Sequence, residues 1–172
     1  TNKIRLSIDK ETIIKNKVVS PKQYDSIVPY IDIDIKGRAL YKNRLMMLDL
    51  IANNNWKRPI YFSGGAYDDE DFLWMKNYLQ LDGMTYKLVP IKTEIPKDAS
   101  PLEMGGIDTD KMYANVMKWD WGSSESLSIY HDPETRKNSI TYRSYLSRLM
   151  NQLILEGKKE KAKNIITLAM NK

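Results

Sequence analysis

The sequence predicts an α/β fold in which a small mixed sheet is flanked by helices and followed by a C-terminal helical hairpin. Three observations predict this fold. Apolar and polar residues alternate in two early segments, as they do in half-buried strands. A helix-period segment then leads through three asparagines into a short apolar run at residues 59–63. Near the end, two helix-period segments lie on either side of Gly157.

The two early strands are predicted from alternation alone. Residues 3–9 place isoleucine and leucine at every second position. Residues 28–36 place isoleucine at 31, 33 and 35 against polar residues at 32, 34 and 36, until Gly37 ends the segment. Such a segment buries one face and exposes the other to water. We expect both strands to complete the sheet at its edge.

The central part of the chain predicts a helix, a strand, a helix and a strand. The first helix covers residues 38–53 and ends at the asparagines, because asparagine tolerates the left-handed cap conformation. The apolar run 59–63 predicts a central strand buried on both faces. Acids at 68–71 favour a helix N-terminus, so a second helix is expected through Leu81, followed by a strand at 86–91. This order favours parallel pairing with right-handed crossovers. The predicted core comprises Ile60, Tyr61, Phe62, Leu48, Ile51, Leu88 and Val89.

The last third of the chain predicts helices. Asp108 or Thr109 can cap a helix that runs to Trp119, and Asp132-Pro133 is typical of a helix start. We expect residues 1–128 to form the α/β domain and residues 129–172 to form a helical hairpin packed on it, as one structural unit.

Composition restricts the function. The net charge is +5, but no basic run is interleaved with aromatic residues, so nucleic-acid binding is not expected. Cysteine is absent and His131 is the single histidine, which leaves little material for a multi-histidine metal site or a Ser-His-Asp triad. We therefore assign no catalytic residue, no metal and no cofactor. No apolar segment is long enough to span a bilayer, and the first residues do not resemble a signal peptide.

Gly64 and Gly65 follow the predicted strand and precede a predicted helix, where backbone amides can hold an anion. The full dinucleotide motif is missing and four acids follow, so a tight turn is the favoured interpretation. The same acids, 68–71, offer carboxylates for a divalent cation, but helix capping explains them without a metal.

Amides, an indole and a guanidinium lie together where the first helix ends. Asn54, Asn55, Trp56 and Arg58 suit recognition of a sugar or a peptide by stacking and paired hydrogen bonds. The favoured interpretation is a capped helix end with a packed tryptophan. A second aromatic group, Trp119, Trp121 and Tyr130 near His131, offers a platform for a glycan or a partner protein, although such aromatics are more often core.

Several segments resemble a known family, in this order: LDLIANNNWKRPIYFS, YLQLDGMTYKLVPIKT, GGIDTDKMYANVMKWDWG and LILEGKKEKAKNII. They are similar to the C-terminal part of a bacterial family of large multi-pass membrane proteins of unknown function. That family is classed with protein O-mannosyltransferase-like glycosyltransferases, which use lipid-linked sugars. The resemblance covers nearly the whole chain.

The resemblance implies a domain on the extracytoplasmic, periplasmic face of the cytoplasmic membrane, attached in cis to a transmembrane bundle. The catalytic acid of such enzymes lies in the membrane part, so no residue here inherits it. The implied role is a non-catalytic accessory domain that positions an acceptor protein or a glycan.

Two alternatives stay open. The helical hairpin offers a groove for a partner helix or peptide, and an exposed stripe along Tyr142, Leu146 and Leu149 would favour that role. A free-standing enzyme would require a deep polar pocket at Gly64 and Gly65.

Overall fold

The structure, a computed structural model, describes residues 3–37, 39–63, 68–96, 99 and 103–171. The α/β class is confirmed, with two small sheets and a C-terminal helical pair. The strands are β1 (Lys3–Ser7), β2 (Tyr30–Asp34), β3 (Tyr61–Ser63), β4 (Leu79–Asp82), β5 (Thr85–Leu88) and β6 (Gly106–Ile107). The helices are α1 (Lys10–Lys15), α2 (Lys42–Asn54), α3 (Thr109–Val116), α4 (Pro133–Leu155) and α5 (Lys159–Asn171). Short 3-10 helices cover Pro21–Ser26, Asp69–Phe72 and Lys76–Tyr78.

The chain divides into two compact units. Unit 1 comprises Thr1–Leu81 and Thr85–Gly106, and unit 2 comprises Asp82–Met84 and Ile107–Lys172. The division into residues 1–128 and 129–172 that the sequence suggested stays a prediction.

The alternating segments form a sheet of their own. β1 pairs with β2 in antiparallel register, with Ile4 opposite Ile33 and Leu6 opposite Ile31. On the other face Arg5 donates to both carboxylate oxygens of Asp32, at 2.7 and 2.9 Å. The alternation was therefore interpreted correctly, but the expectation that these strands extend the main sheet was wrong. Each strand pairs with the other along one edge, and no further strand of the described residues joins this sheet.

The main sheet has the order β3-β5-β4-β6. The parallel pairing predicted for the strands at 59–63 and 86–91 was wrong. β3 pairs antiparallel with β5. β3 is an edge strand whose Tyr61 is 44% exposed, so it is not a central strand buried on both faces. Of the predicted core, Phe62, Leu48, Leu88 and Val89 are buried, while Ile51 and Ile60 are half-buried.

The predicted helix over residues 68–81 is absent, and its failure has a local cause. Leu73 and Trp74 both adopt left-handed backbone conformations, with φ of 52° and 57°, which an α-helix does not tolerate. The segment instead makes two short 3-10 helices and then β4. Asp82-Gly83 is not a helix stop: Asp82 is the last residue of β4, and Gly83 begins the connection to β5. Gly83, with φ 71°, supplies the positive φ that a tight hairpin turn needs.

The predicted helix starts are confirmed in unit 2. The Asp132 carboxylate accepts from the backbone amides of Glu134 and Thr135, and Pro133 occupies the first helical position of α4. The Asp108 carboxylate accepts from the amide of Lys111 at the start of α3. Gly157, with φ 74°, separates α4 from α5 as expected.

A polar cluster fixes the turn between α4 and α5 to the first residues of α3. Buried Thr109 donates its hydroxyl to Glu156 at 2.6 Å. The Lys158 ammonium lies 2.8 Å from a carboxylate oxygen of Glu156 and 2.8 Å from one of Asp110. Lys161 reaches the other oxygen of Asp110 at 2.7 Å.

This cluster predicts an acid-sensitive contribution to stability. Burial raises the pKa of Glu156, but hydrogen bonds from Lys158 and Thr109 outweigh it, so the net pKa is below its ordinary value of 4.5. A lowered folded pKa stabilises the fold above the ordinary value, and this stabilisation is lost as pH falls through the folded pKa. We expect Glu156→Gln to reduce the fall in Tm between pH 7 and pH 3 by about 1–2 °C, as about 0.5 kcal/mol from a part-exposed pair implies. Thermal melts monitored by circular dichroism measure it.

Glu160→Gln is the matched control, since Glu160 is an exposed acid in the first turn of α5. An equal effect of both variants on the pH dependence would contradict the assignment to Glu156.

Candidate binding site

A groove in unit 1 lies between the end of α2, one side of α1 and part of β1. Its volume is about 490 Å³. The α2 side contributes Ile51, Ala52, Asn55, Trp56 and Lys57. The facing side contributes Arg5, Leu6, Ser7, Asp9, Thr12, Lys15 and Asn16. Two of the residues singled out from the sequence, Asn55 and Trp56, therefore line one groove.

The left-handed turn after α2 directs the chain along this groove. Asn55 and Trp56 have φ of 47° and 56°, and Asn55, one of the three asparagines predicted to end the helix, is its left-handed cap. The side-chain amide of Asn16, at the end of α1, donates to the backbone carbonyl of Trp56 at 3.2 Å. That bond joins two chain segments 40 residues apart and holds the turn against α1.

Asn54 and Arg58 come together but do not line the groove. The Asn54 amide nitrogen donates to the Arg58 carbonyl at 2.7 Å, and the Arg58 backbone amide donates back to the Asn54 side-chain oxygen at 3.3 Å. Both ends of the Asn54 amide are thus used to close the loop. Its role is to shape the turn that presents Asn55 and Trp56.

Trp56 is anchored as well as accessible. It is half-buried and packs on a core cluster formed by Ile13, Val18, Val19 and Val89. A large rigid aromatic held this way loses little conformational entropy when a ligand contacts it. The indole is therefore both part of the core and part of the groove wall.

The charged side chains of the groove differ in how they are paired. The hydrogen bond from the Thr12 hydroxyl lowers the pKa of Asp9, and the Glu11 amide adds to this effect. Asp9 is thus ionised at neutral pH and is a weak base. Arg5 is engaged by Asp32 and lies 3.9 Å from the centre of the Tyr30 ring. Lys15 and Lys57 are exposed and form no ion pair with the described part of the chain.

The sequence model of one family, TMEM260-associated domain 2, matches residues 1–111. The chain belongs to this family. The domain is therefore one that is associated with a membrane-protein family. The match includes the whole groove in unit 1, whereas α4 and α5 lie beyond it.

Neither a curated protein nor a solved structure matches the chain. None of the helices that the structure describes is long and apolar enough to pass through a bilayer.

The acids at residues 68–71 do not line this groove. Gly64 and Gly65 lie outside the described residues. Among the acids that follow them, the Asp68 carboxylate accepts from the Glu70 amide, which is the capping role favoured from the sequence. Arg44 of α2 pairs with Asp71 and lies 4.0 Å from Glu70. Within the described residues, no group of three or more acidic or histidine side chains could hold a metal ion.

The aromatic platform in unit 2 has a different membership from the one predicted. Trp119 and Trp121 contact each other and both contact Tyr142 of α4, with ring centres 5.6 to 6.3 Å apart. Tyr130 is 80% exposed and is not part of the cluster. The sequence did not predict Tyr142 as a member of this cluster, because it lies about 20 residues from the two tryptophans and reaches them only through the packing of α4.

The predicted apolar stripe of the hairpin is not an open surface. Leu146 and Leu149 are buried, and Tyr142 is 38% exposed. The stripe therefore serves mainly as the core of unit 2.

Sequence reasoning missed the half of the unit 1 groove that comes from β1 and α1. One local signal was available there. Asp9 is a residue type favoured at helix N-caps, and in the structure it caps α1 by accepting from the Glu11 amide. Its position opposite Asn55 depends on tertiary packing, and no local pattern encodes that.

Proposed function

We propose that this chain is a non-catalytic accessory domain of a membrane-embedded glycosyltransferase of the protein O-mannosyltransferase-like class. In this proposal the domain lies on the extracytoplasmic side and positions the acceptor protein or the glycan. Membership of a domain family associated with a membrane-protein family supports the role as a domain of a membrane protein. The resemblance of the quoted motifs supports the glycosyltransferase class.

The groove in unit 1 is the observation that carries the positioning role. It combines an anchored indole, the amide of Asn55, and the two lysines Lys15 and Lys57. Amides bind peptide or sugar groups through paired donors and acceptors, and an indole face packs against apolar faces of either. The lysines add attraction for acidic groups on an acceptor surface.

The lowered pKa of Asp9, an acid of this groove, supports binding over catalysis. A general acid or base at neutral pH needs a pKa near 7, whereas the bonds to Asp9 lower its pKa. In this proposal the membrane part catalyses sugar transfer, and this domain orients the acceptor protein or the glycan.

The test uses the full-length membrane protein in vesicles with a protein acceptor. We expect Lys57→Glu combined with Lys15→Glu to raise the apparent KM for the acceptor about tenfold, because a repulsive charge pair replaces an attractive one. The value of kcat should change little. Transfer is measured by mass spectrometry of the acceptor over a range of concentrations.

Lys36→Glu is the control, since Lys36 is an exposed lysine of unit 1 outside the groove. Removal of the whole domain should impair transfer or alter acceptor choice. Unchanged transfer and unchanged acceptor choice after that removal would refute the proposal.

A further inference from the structure

Unit 2 contains an elongated groove that is separate from the groove of unit 1. Two adjoining cavities, of about 510 and 370 Å³, share Arg143, Leu146 and Ala169 in their walls. The larger one contains the aromatic cluster of Trp119, Trp121 and Tyr142. We propose that this groove binds an extended peptide segment that carries an acidic residue between an aromatic and an aliphatic side chain.

The shape of the groove argues for a chain-like ligand. The residues that α4 contributes recur every three or four positions between Thr135 and Met150, so they form one continuous face of the helix. At 1.5 Å per residue that face is about 22 Å long. An extended peptide covers the same length with about six or seven residues. A single sugar ring or a small metabolite would occupy only one end.

The chemistry changes along the groove in a way that suits three successive side chains. One end presents indole and phenol rings, tilted against each other by 60° to 81°. The other end presents Met150, Ile166 and Met170, of which Met170 is 79% exposed. Methionine is flexible and polarizable, so it adapts to varied aliphatic side chains. Rings that touch each other form a corner for an aromatic side chain rather than a parallel slot for a planar base.

Arg143 lies in the middle and sets the charge of the ligand. It lines both cavities, is exposed, and forms no hydrogen bond or ion pair within the described ranges. Asp120, the acid in the walls of the larger cavity, accepts from the backbone amide of Gly122 at 2.9 Å. A carboxylate of the ligand would satisfy the guanidinium through two parallel bonds. The amide of Asn138 and the hydroxyl of Ser147 can bond the peptide backbone on either side.

The test measures fluorescence anisotropy of a labelled peptide, Trp-Ser-Ser-Asp-Ser-Ser-Leu, and of its reversed sequence, with the whole chain. The spacing of three residues on each side of the acid corresponds to about 10 Å. We expect one of the two peptides to bind, and Arg143→Glu to weaken that binding at least about tenfold. The same variant should gain affinity for the peptide with lysine in place of aspartate.

Lys137→Glu is the matched control, since Lys137 lies on α4 outside both cavities. It makes the same charge change and should alter the Kd less than about twofold. Trp121→Ala tests the aromatic end, with circular dichroism to show that the variant folds.

Three results would overturn the inference: no binding of either peptide, equal effects of Arg143→Glu and Lys137→Glu, or binding of maltose or cellobiose in this groove in place of the peptides. The inference concerns unit 2 alone. Its failure leaves the proposed role of the unit 1 groove untouched, because the variants that test that role lie in unit 1.

Discussion

Gly105→Ala is expected to destabilise the chain by about 3–5 kcal/mol, because two separate costs coincide at this position. Gly105 has φ 70°, a conformation that an L-residue with a side chain adopts only with strain. A methyl group there would also lie 2.2 Å from the backbone carbonyl oxygen of Leu79 and 2.7 Å from its carbon. The clash is with the backbone of β4, so no side-chain rotation can relieve it.

Equilibrium unfolding in guanidinium, followed by circular dichroism, measures this loss. Gly157→Ala separates the two costs, since Gly157 has nearly the same φ of 74° but nothing within 4 Å of the added methyl. We expect the control to lose only about 1–2 kcal/mol, the cost of the left-handed conformation alone. Similar losses in the two variants would show that the approach of Gly105 to β4 is not tight.

Phe72→Ala is the second change with a large expected effect, about 3–5 kcal/mol. Phe72 is almost fully buried, and its ring lies 5.8 Å from that of Phe62 on β3 and 6.4 Å from that of Tyr86 on β5. Removing the ring leaves a cavity beneath the sheet and takes away two aromatic contacts. The same unfolding measurement applies.

Phe72→Leu keeps most of the volume and should lose only about 1–1.5 kcal/mol. Tyr61→Ala on the same strand as Phe62 is an exposed control, because Tyr61 points away from the buried face. If Phe72→Ala cost no more than Tyr61→Ala, the 3-10 helix at Asp69–Phe72 could not be packed on the sheet.

The sequence predicted those parts of the fold whose signals are local. Strict alternation identified β1 and β2, and Asp132-Pro133 identified the start of α4. The helix predicted over residues 68–81 was wrong. Phe72, Met75 and Leu79 recur at helical spacing, but Leu73 between them is also buried. A surface helix buries one face only, so buried residues between the helically spaced positions argue against such a helix. Asp82-Gly83 between alternating residues was itself a hairpin signal.

The candidate site was predictable on one side only. The end of α2 has a local signature, three asparagines and a tryptophan, and the structure places Asn55 and Trp56 in the groove wall. The opposite wall comes from β1 and α1, which are joined to this turn by the bond from Asn16 to Trp56 across 40 residues of sequence. The role of Arg143 could not be predicted either, because only the positions of its neighbours show that it has no ion-pair partner among the described residues.

The tip of the β4–β5 hairpin belongs to unit 2, where Asp82 accepts from Lys111 at 2.9 Å and from the side chain of Asn115 at 2.8 Å. The polypeptide therefore passes from one unit to the other three times. Excision at residue 111, where the family match ends, would cut α3 after its third residue and remove Asn115 from Asp82. Neither unit corresponds to a single uninterrupted stretch, so genetic recombination cannot exchange one of them by joining at a single point. Truncations for biochemistry should accordingly keep α3 whole.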